Sequence, residues 1–282
     1  MDGIMNIYKE PGYTSFDVVA KLRGILKQKK IGHTGTLDPD AEGVLVVCLG
    51  NATKLSEMLT GKDKEYTAVL RLGVTTDTED MSGRVLRELP VDCDEETVRA
   101  AVKSFQGEYQ QIPPMYSAIK KDGKKLYELA HAGIEIDREP RQVEIYEIEV
   151  ISIALPLVQL RVRCSKGTYI RSLCRDIGER LSCGGCMEHL LRNRVSSFTA
   201  ETALKLSAVE QLKEAGRLKE AVSPIDSLFP SYRRLTVHRG AERYLYNGNR
   251  LTMESFPQRP DALASEELVF IYDTKGELKG LY

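Results

Sequence analysis

Residues 157–164 impose a strict two-residue period, with Val158, Leu160, Val162 and Cys164 on one side and Gln159, Arg161 and Arg163 on the other. That alternation describes a strand with one face in a core and does not fit a helix. Residues 143 to 164 together read as a long β-hairpin or two strands. The last strand runs into Lys166-Gly167-Thr168, after which Ile170, Leu173, Ile177 and Leu181 recur at helical spacing. A helix capped by Thr168 is therefore expected, with Arg171 in its first turn, aimed inward by the preceding strand and turn.

The rest of the chain mixes the same two periods. Val18, Val19, Leu22, Ile25 and Leu26 mark one helical face within residues 15 to 30, behind the capping box Thr14-x-x-Asp17. Residues 43 to 49 and 66 to 72 are short apolar, β-prone runs and read as buried strands. Asp94 caps a helix presenting Val98, Val102 and Phe105, with Gly107 as its stop. Ser207-x-x-Glu210 opens a more polar helix, and Ser223-Pro224-Ile225-Asp226 with Pro230 marks a boundary. A chain of 282 residues can enclose a substantial core. Residues 231 to 282 are too few for one of their own size and form a small β module, with Leu268 to Tyr272 its clearest strand.

Composition narrows the partners. Forty Lys and Arg against 41 Asp and Glu leave a formal charge of −1, which excludes a uniformly basic nucleic-acid binder and leaves room for local patches. With no Trp and 7% aromatic residues, any stacking uses few rings. Met1-Asp2-Gly3-Ile4 lacks the basic and apolar regions of a secretory signal, and no apolar run nears the roughly 18 residues of a spanning helix. The chain is expected in the cytoplasm, its six cysteines reduced. Cys183-Gly184-Gly185-Cys186 has zinc-pair spacing, but a structural site takes four ligands and His189 is the nearby addition, so no metal is expected.

The densest chemical signal lies between the first helix and the strand after it: Gly32-His33-Thr34-Gly35-Thr36-Leu37-Asp38-Pro39-Asp40-Ala41-Glu42-Gly43-Val44-Leu45. Gly32 and Gly35 favour turns, Pro39 holds its predecessor extended, and a carboxylate directly precedes that proline. The backbone presents Asp38 rigidly, although an Asp-Pro turn also occurs for purely local hydrogen bonding.

The segment resembles the GHxGTLDPxAxGVL signature of the TruB family, the tRNA pseudouridine-55 synthases. Lys9-Glu10-Pro11-Gly12-Tyr13-Thr14-Ser15 is similar to the family's K-P-x-G-x-T-S segment, with the proline one place later. Gly50-Asn51-Ala52-Thr53-Lys54, Lys64-Glu65-Tyr66, Gln111-Ile112-Pro113-Pro114-Met115-Tyr116-Ser117-Ala118 and Gly167-Thr168-Tyr169-Ile170-Arg171-Ser172-Leu173 follow in the family's order and spacing. The resemblance covers about residues 3 to 200.

What it implies is a mixed α/β (α+β) fold, with the largely antiparallel central sheet of pseudouridine synthases in a catalytic domain over 1–229. It also implies a thumb-like insertion about 118–142 carrying Lys120, Lys121, Lys124 and Lys125, and a small PUA-like RNA-binding module over 230–282, the last by position alone. The family isomerises a uridine in RNA without a cofactor, breaking the N-glycosidic bond and rejoining the ring through carbon. Cleavage develops positive charge on the ribose, which a nearby carboxylate can stabilise, trap or relieve of a proton. Asp38 matches the family's catalytic aspartate, and attack on the sugar, attack on the base and proton abstraction from the sugar all stay open. Arg171 matches the arginine that keeps that carboxylate ionised, and Tyr66 the tyrosine that stacks on the base and assists the final proton removal. His33 matches the histidine that fills the space of the everted nucleotide, by stacking rather than as a base. Tyr169, Lys9 and Lys64 fall in substrate-binding motifs. Leu191, opening a segment similar to L-R-R-x-x-x-G-x-F, is expected to line the pocket.

The expected partner is the T-arm stem-loop of tRNA, bound by a monomer with no obligatory protein partner, no membrane and no metal. Two basic stretches supply affinity. Residues 20 to 34 carry Lys21, Arg23, Lys27, Lys29 and Lys30. Residues 160 to 194 carry Arg161, Arg163, Lys166, Arg171, Arg175, Arg180, Arg192 and Arg194 against three acids. The chain departs from the family at His131, where an arginine is usual, at Asn193 in an Arg-Arg pair, and at Ser197 in place of a glycine. Two rivals are a non-catalytic RNA-binding protein of the same fold and a guide-RNA-dependent rRNA pseudouridine synthase.

Overall fold

The computed structural model describes all residues except 62, 258–262 and 265. The chain divides into two compact units, Met1–Val222 and Ser223–Tyr282.

In chain order the larger unit runs β1 (Gly3–Lys9), α1 (Ser15–Leu26), β2 (Ile31–His33), β3 (Glu42–Leu49), α2 (Ser56–Thr60), β4 (Lys64–Leu72), β5 (Val74–Thr76), β6 (Val85–Glu88) and α3 (Glu95–Lys103). It continues with β7 (Gly107–Gln111), β8 (Lys120–Lys121), β9 (Lys124–Lys125), α4 (Leu126–His131), β10 (Arg141–Ala154), β11 (Leu157–Cys164), α5 (Ile170–Arg180), β12 (Gly185–Val195), β13 (Phe198–Thr199) and α6 (Leu206–Glu214). The central sheet is ordered β1-β3-β12-β4-β11-β10-β7, with β2 on β3 and β13 on β12. Its pairings are antiparallel except β3 with β12, where Leu191 lies opposite Glu42 and Arg192 opposite Gly43. The fold is thus mixed α/β on a largely antiparallel sheet, as the resemblance implies.

The local rules explain most element ends. Thr14 and Asp17 form the reciprocal capping box of α1, and Lys27 in the left-handed region (φ 53°) ends the helix at Leu26, short of residue 30. Asp94 accepts from the Thr97 N–H at 2.8 Å and starts α3. Two expected caps are differently placed. Thr168 donates to the Ser165 carbonyl at 3.0 Å, closing the turn after β11, and Tyr169 takes the N-cap of α5. Ser207 already lies inside α6, whose N-cap is Lys205.

Two hydrophobic clusters sit toward opposite ends of the strand order. One joins Met5, Ile7, Leu45 and Val47 to Val18, Leu22 and Val209, so α1 and α6 cover β1 and β3. The other joins Leu70, Leu160, Val162 and Ile145 to Val98, Val102, Leu173 and Ile177, so α3 and α5 cover β4, β11 and β10. Burying aliphatic side chains in this way is the main stabilising term of each.

The smaller unit holds β14 (Arg233–Thr236), α7 (Glu242–Tyr246), β15 (Val269–Tyr272) and β16 (Leu278–Leu281) in one sheet ordered β14-β15-β16. Val237, Leu245, Phe256, Val269 and Ile271 form its core. It begins before residue 230, with the Phe229 ring 5.1 Å from Tyr232 and 5.9 Å from Phe270.

Candidate active site

The segment between β2 and β3 has no regular structure, yet its carbonyls are engaged throughout. Thr34 O accepts from Thr60 Oγ1 at 2.8 Å. Arg192 donates to Gly35 O at 3.1 Å and Thr36 O at 3.2 Å. Ser15 Oγ donates to Leu37 O at 3.2 Å and accepts from the Leu37 N–H at 2.9 Å. Asp38 O accepts from the Ala41 N–H at 3.2 Å, and Pro39 O from the Gly12 N–H at 2.9 Å. Lys9 Nζ reaches Pro39 O at 2.8 Å and Ala41 O at 2.6 Å. A loop tied at nearly every peptide holds its central side chain in one geometry, as chemistry on a bound substrate requires. Just past the loop, the second residue of β3 has to be glycine: Gly43 is at φ +104°, where a Cβ would collide with the Arg192 carbonyl and lie 2.9 Å from Leu191 Cδ1. Gly32 and Gly35, expected as turn glycines, are absent from the positive-φ positions.

Asp38 faces Arg171 from the first turn of α5. Arg171 Nε lies 3.0 Å from Asp38 Oδ2, and NH2 donates to Oδ1 at 3.2 Å, a bidentate fork. NH1 donates to Thr78 O at 3.2 Å and to Asp80 Oδ2 at 3.3 Å, and NH2 also reaches Tyr116 O at 3.0 Å. Both terminal nitrogens thus have two acceptors each while Nε faces Asp38 Oδ2, and the side chain is 6% exposed against 35% for Asp38. Burial raises the Asp38 carboxyl above its ordinary range, Arg171 opposes that by favouring the ionised form, and Asp80 adds to the rise.

The sequence alone does not single out Asp80. It sits in the turn between β5 and β6, where Oδ1 accepts from Thr78 Oγ1 at 2.7 Å and from the Ser82 N–H at 3.0 Å, leaving Oδ2 for Arg171. The signal was the density of short polar residues in Asp77-Thr78-Glu79-Asp80-Met81-Ser82-Gly83, more than a solvated turn needs. The neighbouring Glu79, pushed above its usual range by burial, accepts from Ser172 Oγ at 2.6 Å and pairs with Arg175, fastening this turn to α5.

Two cavities meet at Asp38 and Arg171. The larger, about 1070 Å³, also takes His33, Tyr116, Lys125 and His189 into its lining. The smaller, about 390 Å³, takes Lys64, Tyr66, Tyr169, Leu190 and Arg192. Tyr66 and Arg192 are opposite each other on β4 and β12. Burial pushes the Tyr66 hydroxyl up to about 12, with Arg192 pulling the other way. His33 ends β2; burial and then Arg192 lower its pKa, and its buried Nδ1 has no hydrogen-bond partner among the described residues. Tyr169 is held by its backbone, whose N–H donates to Gln111 Oε1 at 2.8 Å and whose carbonyl accepts from Gln111 Nε2 at 2.9 Å. Lys64 donates to Thr60 O at 3.0 Å, and burial lowers it to about 8.

Three expectations need correction. Lys9 is fully buried, lowered to about 8 by burial, and lines neither cavity; it lies under the loop as an anchor. Leu190, not Leu191, lines both cavities, because neighbouring strand residues face opposite ways and Leu191 packs over Gly43. Counting L-R-R-x-x-x-G-x-F back from Phe198 gives the same register, with Leu191 at the first arginine, Arg192 at the second, and the glycine position at Ser196 rather than Ser197. Ser196 is indeed left-handed, at φ 54°. Finally, residues 160 to 194 are not a free basic face. Arg171 and Arg192 are buried. Strand register sets Arg161 against Glu149 and Arg163 against Glu147, while Arg194 meets Asp63 at 3.0 Å and Arg175 meets Glu79 and Asp176. Lys21, Lys27, Lys29 and Lys30 are exposed.

Cys183 and Cys186 are buried, and His189 is turned to Glu42 at 3.0 Å. Among the described residues no group of three His, Cys, Asp or Glu is arranged to hold a metal, and no helix is long and apolar enough to cross a membrane.

The N-terminal domain of TruB family pseudouridylate synthases matches residues 23–170, and the C-terminal domain of tRNA pseudouridylate synthase B matches residues 171–230. The tRNA pseudouridine synthase B of Lachnoclostridium phytofermentans is 52% identical over 100% of this chain and 95% of its own. That of Alkaliphilus oremlandii is 50% identical over 89% and 83%. Among solved structures, a Cbf5-Nop10-Gar1 complex includes a chain 31% identical at a TM-score of 0.73, covering 99% of this chain and 77% of that one. On the strength of these matches, the chain belongs to the TruB family of pseudouridylate synthases.

Proposed function

We propose that this enzyme converts uridine to pseudouridine at position 55 in the T-arm of tRNA, using Asp38 on a nucleotide everted into the joined cavities. Isomerisation of uridine in tRNA is the activity of the family; the position, the eversion and the residue roles are proposed on top of it. The observation that carries it is the Asp38–Arg171 fork, a carboxylate open to a cavity and held against a buried guanidinium.

Breaking the N-glycosidic bond leaves positive charge on the ribose and negative charge on the departing base. Asp38 must meet that ribose ionised, and Arg171 opposes the protonation that burial favours. The fork leaves the carboxylate's outer lone pairs for the substrate, whether they attack the sugar, attack the base or take a sugar proton. Tyr66 offers a ring beside this point. Its hydroxyl, raised to about 12, enters protonated and serves the last step as a relay, accepting the proton that leaves the base carbon while its own passes to solvent water in the open cavity. Lys9 and Arg192 act through the loop they brace. His33, disfavoured as a cation, suits stacking into the gap left by the everted base.

RNA affinity is assigned to two places. The lysines of residues 20 to 34 are exposed. In the thumb-like segment, Lys120 faces Lys125 and Lys121 faces Lys124 across a two-residue ladder. Like charges directly opposite destabilise a hairpin unless an anion lies across them, which a phosphate backbone supplies. The C-terminal unit is proposed as the PUA-like RNA module, and the enzyme as a cytoplasmic monomer.

The test is isomerisation of an unmodified tRNA transcript by the purified enzyme alone, with the product position mapped. Conversion at position 55 supports the reading. Binding without conversion establishes the non-catalytic rival, and a requirement for guide RNA or added proteins establishes the guided one.

A further inference from the structure

Phe16 is the most exposed large hydrophobic side chain among the described residues, at 65%, and it lines the larger cavity together with Asp38. Its place is fixed. Ser15 beside it is bonded through Oγ to both the N–H and the carbonyl of Leu37, so the start of α1 and the catalytic loop are one piece. The Arg23 guanidinium lies 6.0 Å from the Phe16 ring centroid and is itself held by the Ile31 carbonyl at 3.1 Å. A cation thus orients the ring from one direction, and the exposure leaves the remainder open.

What meets that ring is limited by charge and by size. The lining carries five carboxylates, Asp38 and Asp80 among them, against Arg84, Lys125 and Arg171, the last already engaged by those two. That acid excess favours an uncharged heterocycle over a phosphate at the ring. A volume of about 1070 Å³ exceeds what one nucleoside occupies, being at the top of the range that buries whole drug-sized ligands. We infer that Phe16 is a stacking platform for a second unpaired base of the same RNA loop that delivers the target uridine. This rests on the reading of the cavity as the uridine site and adds to it a determinant of RNA recognition.

The experiment compares native enzyme with Phe16→Ala, Phe16→Leu and Phe16→Trp on T-arm stem-loops. One set of stem-loops is intact, and another carries a single abasic residue at each loop position other than the target. Phe16→Ala and Phe16→Leu are expected to raise KM roughly tenfold, the size of one lost base–aromatic stack, with kcat within about twofold, and Phe16→Trp to stay near native. At one loop position the abasic substitution should raise KM for the native enzyme and leave Phe16→Ala unaffected. Native KM in Phe16→Ala, a fall in kcat at constant KM, a native-like Phe16→Leu, or additive effects at every loop position would each overturn the inference. Failure of the native enzyme on the intact stem-loop would instead overturn the uridine-site reading, and this inference with it.

Discussion

Asp80 Oδ2 lies 3.3 Å from NH1 of Arg171, so the guanidinium that grips Asp38 is held from its other side by a second carboxylate. Asp80 thereby does two things at once: it orients the fork, and its charge helps hold the Asp38 carboxyl above its ordinary range. Asp80→Asn separates them. Losing a hydrogen bond between charged groups, about 1.5 kcal/mol, should lower kcat by roughly tenfold. The acid limb of the kcat/KM profile should move to lower pH, because a neighbour that disfavours ionised Asp38 has gone. An acid limb that stays put or moves to higher pH contradicts the coupling.

Arg171→Lys keeps the charge and loses the fork. One ammonium cannot serve Asp38, Asp80, Thr78 O and Tyr116 O together. Turnover should fall on the order of 10²-fold, as for misplacement of a reacting group, with RNA affinity within a few-fold. Single-turnover assays and filter binding check this, and a native rate would rule out the fork as the working geometry.

Lys9→Met removes the anchor under the Asp38 loop. Leaving the Ala41 carbonyl without a partner and weakening Pro39's should cost about 2–4 kcal/mol in urea unfolding, with little change in m. The effect has a pH signature. With the folded pKa at about 8, below the ordinary 10.5, both states are protonated below pH 8 and the folded protein bears the whole cost of a buried charge. Between pH 8 and 10.5 the unfolded chain binds the proton and the folded one sheds it, so this contribution to stability rises with pH. The difference in unfolding free energy between native protein and Lys9→Met should therefore widen from pH 8 to pH 10. A constant or shrinking difference argues against a buried cation.

Ser196→Gly tests the corrected register of β12 and β13. A serine held at φ 54° is strained where glycine is not, so the substitution should stabilise by about 0.5–1 kcal/mol in thermal or urea melts. The same change at Ser197, outside the positive-φ positions, should not.

How far the sequence carries depends on whether a signal is local. The Thr14–Asp17 box, the Asp94 cap, the β11 alternation and the carboxylate before Pro39 all act within a few residues of their own chain, and each is found where the pattern puts it. Asp80 gains its role from the turn that brings it across to α5, which no spacing along the chain expresses. Arg192 counts as one more positive charge in composition, while in the fold it is buried under the catalytic loop, with Nε 2.7 Å from Val44 O. Leu191 is one residue away from the lining position held by Leu190, and in a strand one residue reverses the face. Arg161 and Arg163 read as part of a surface patch because their carboxylate partners, Glu149 and Glu147, come from the neighbouring strand.

The central claim is that the Asp38 carboxylate performs the isomerisation. Asp38→Asn removes its charge and almost none of its volume, so measuring pseudouridine formed on T-arm RNA by native and Asp38→Asn enzyme in parallel, with RNA affinity alongside, tests it most directly. Conversion by the native enzyme and none by the variant is expected, with affinities within a few-fold of each other. Conversion by Asp38→Asn at close to the native rate would contradict it.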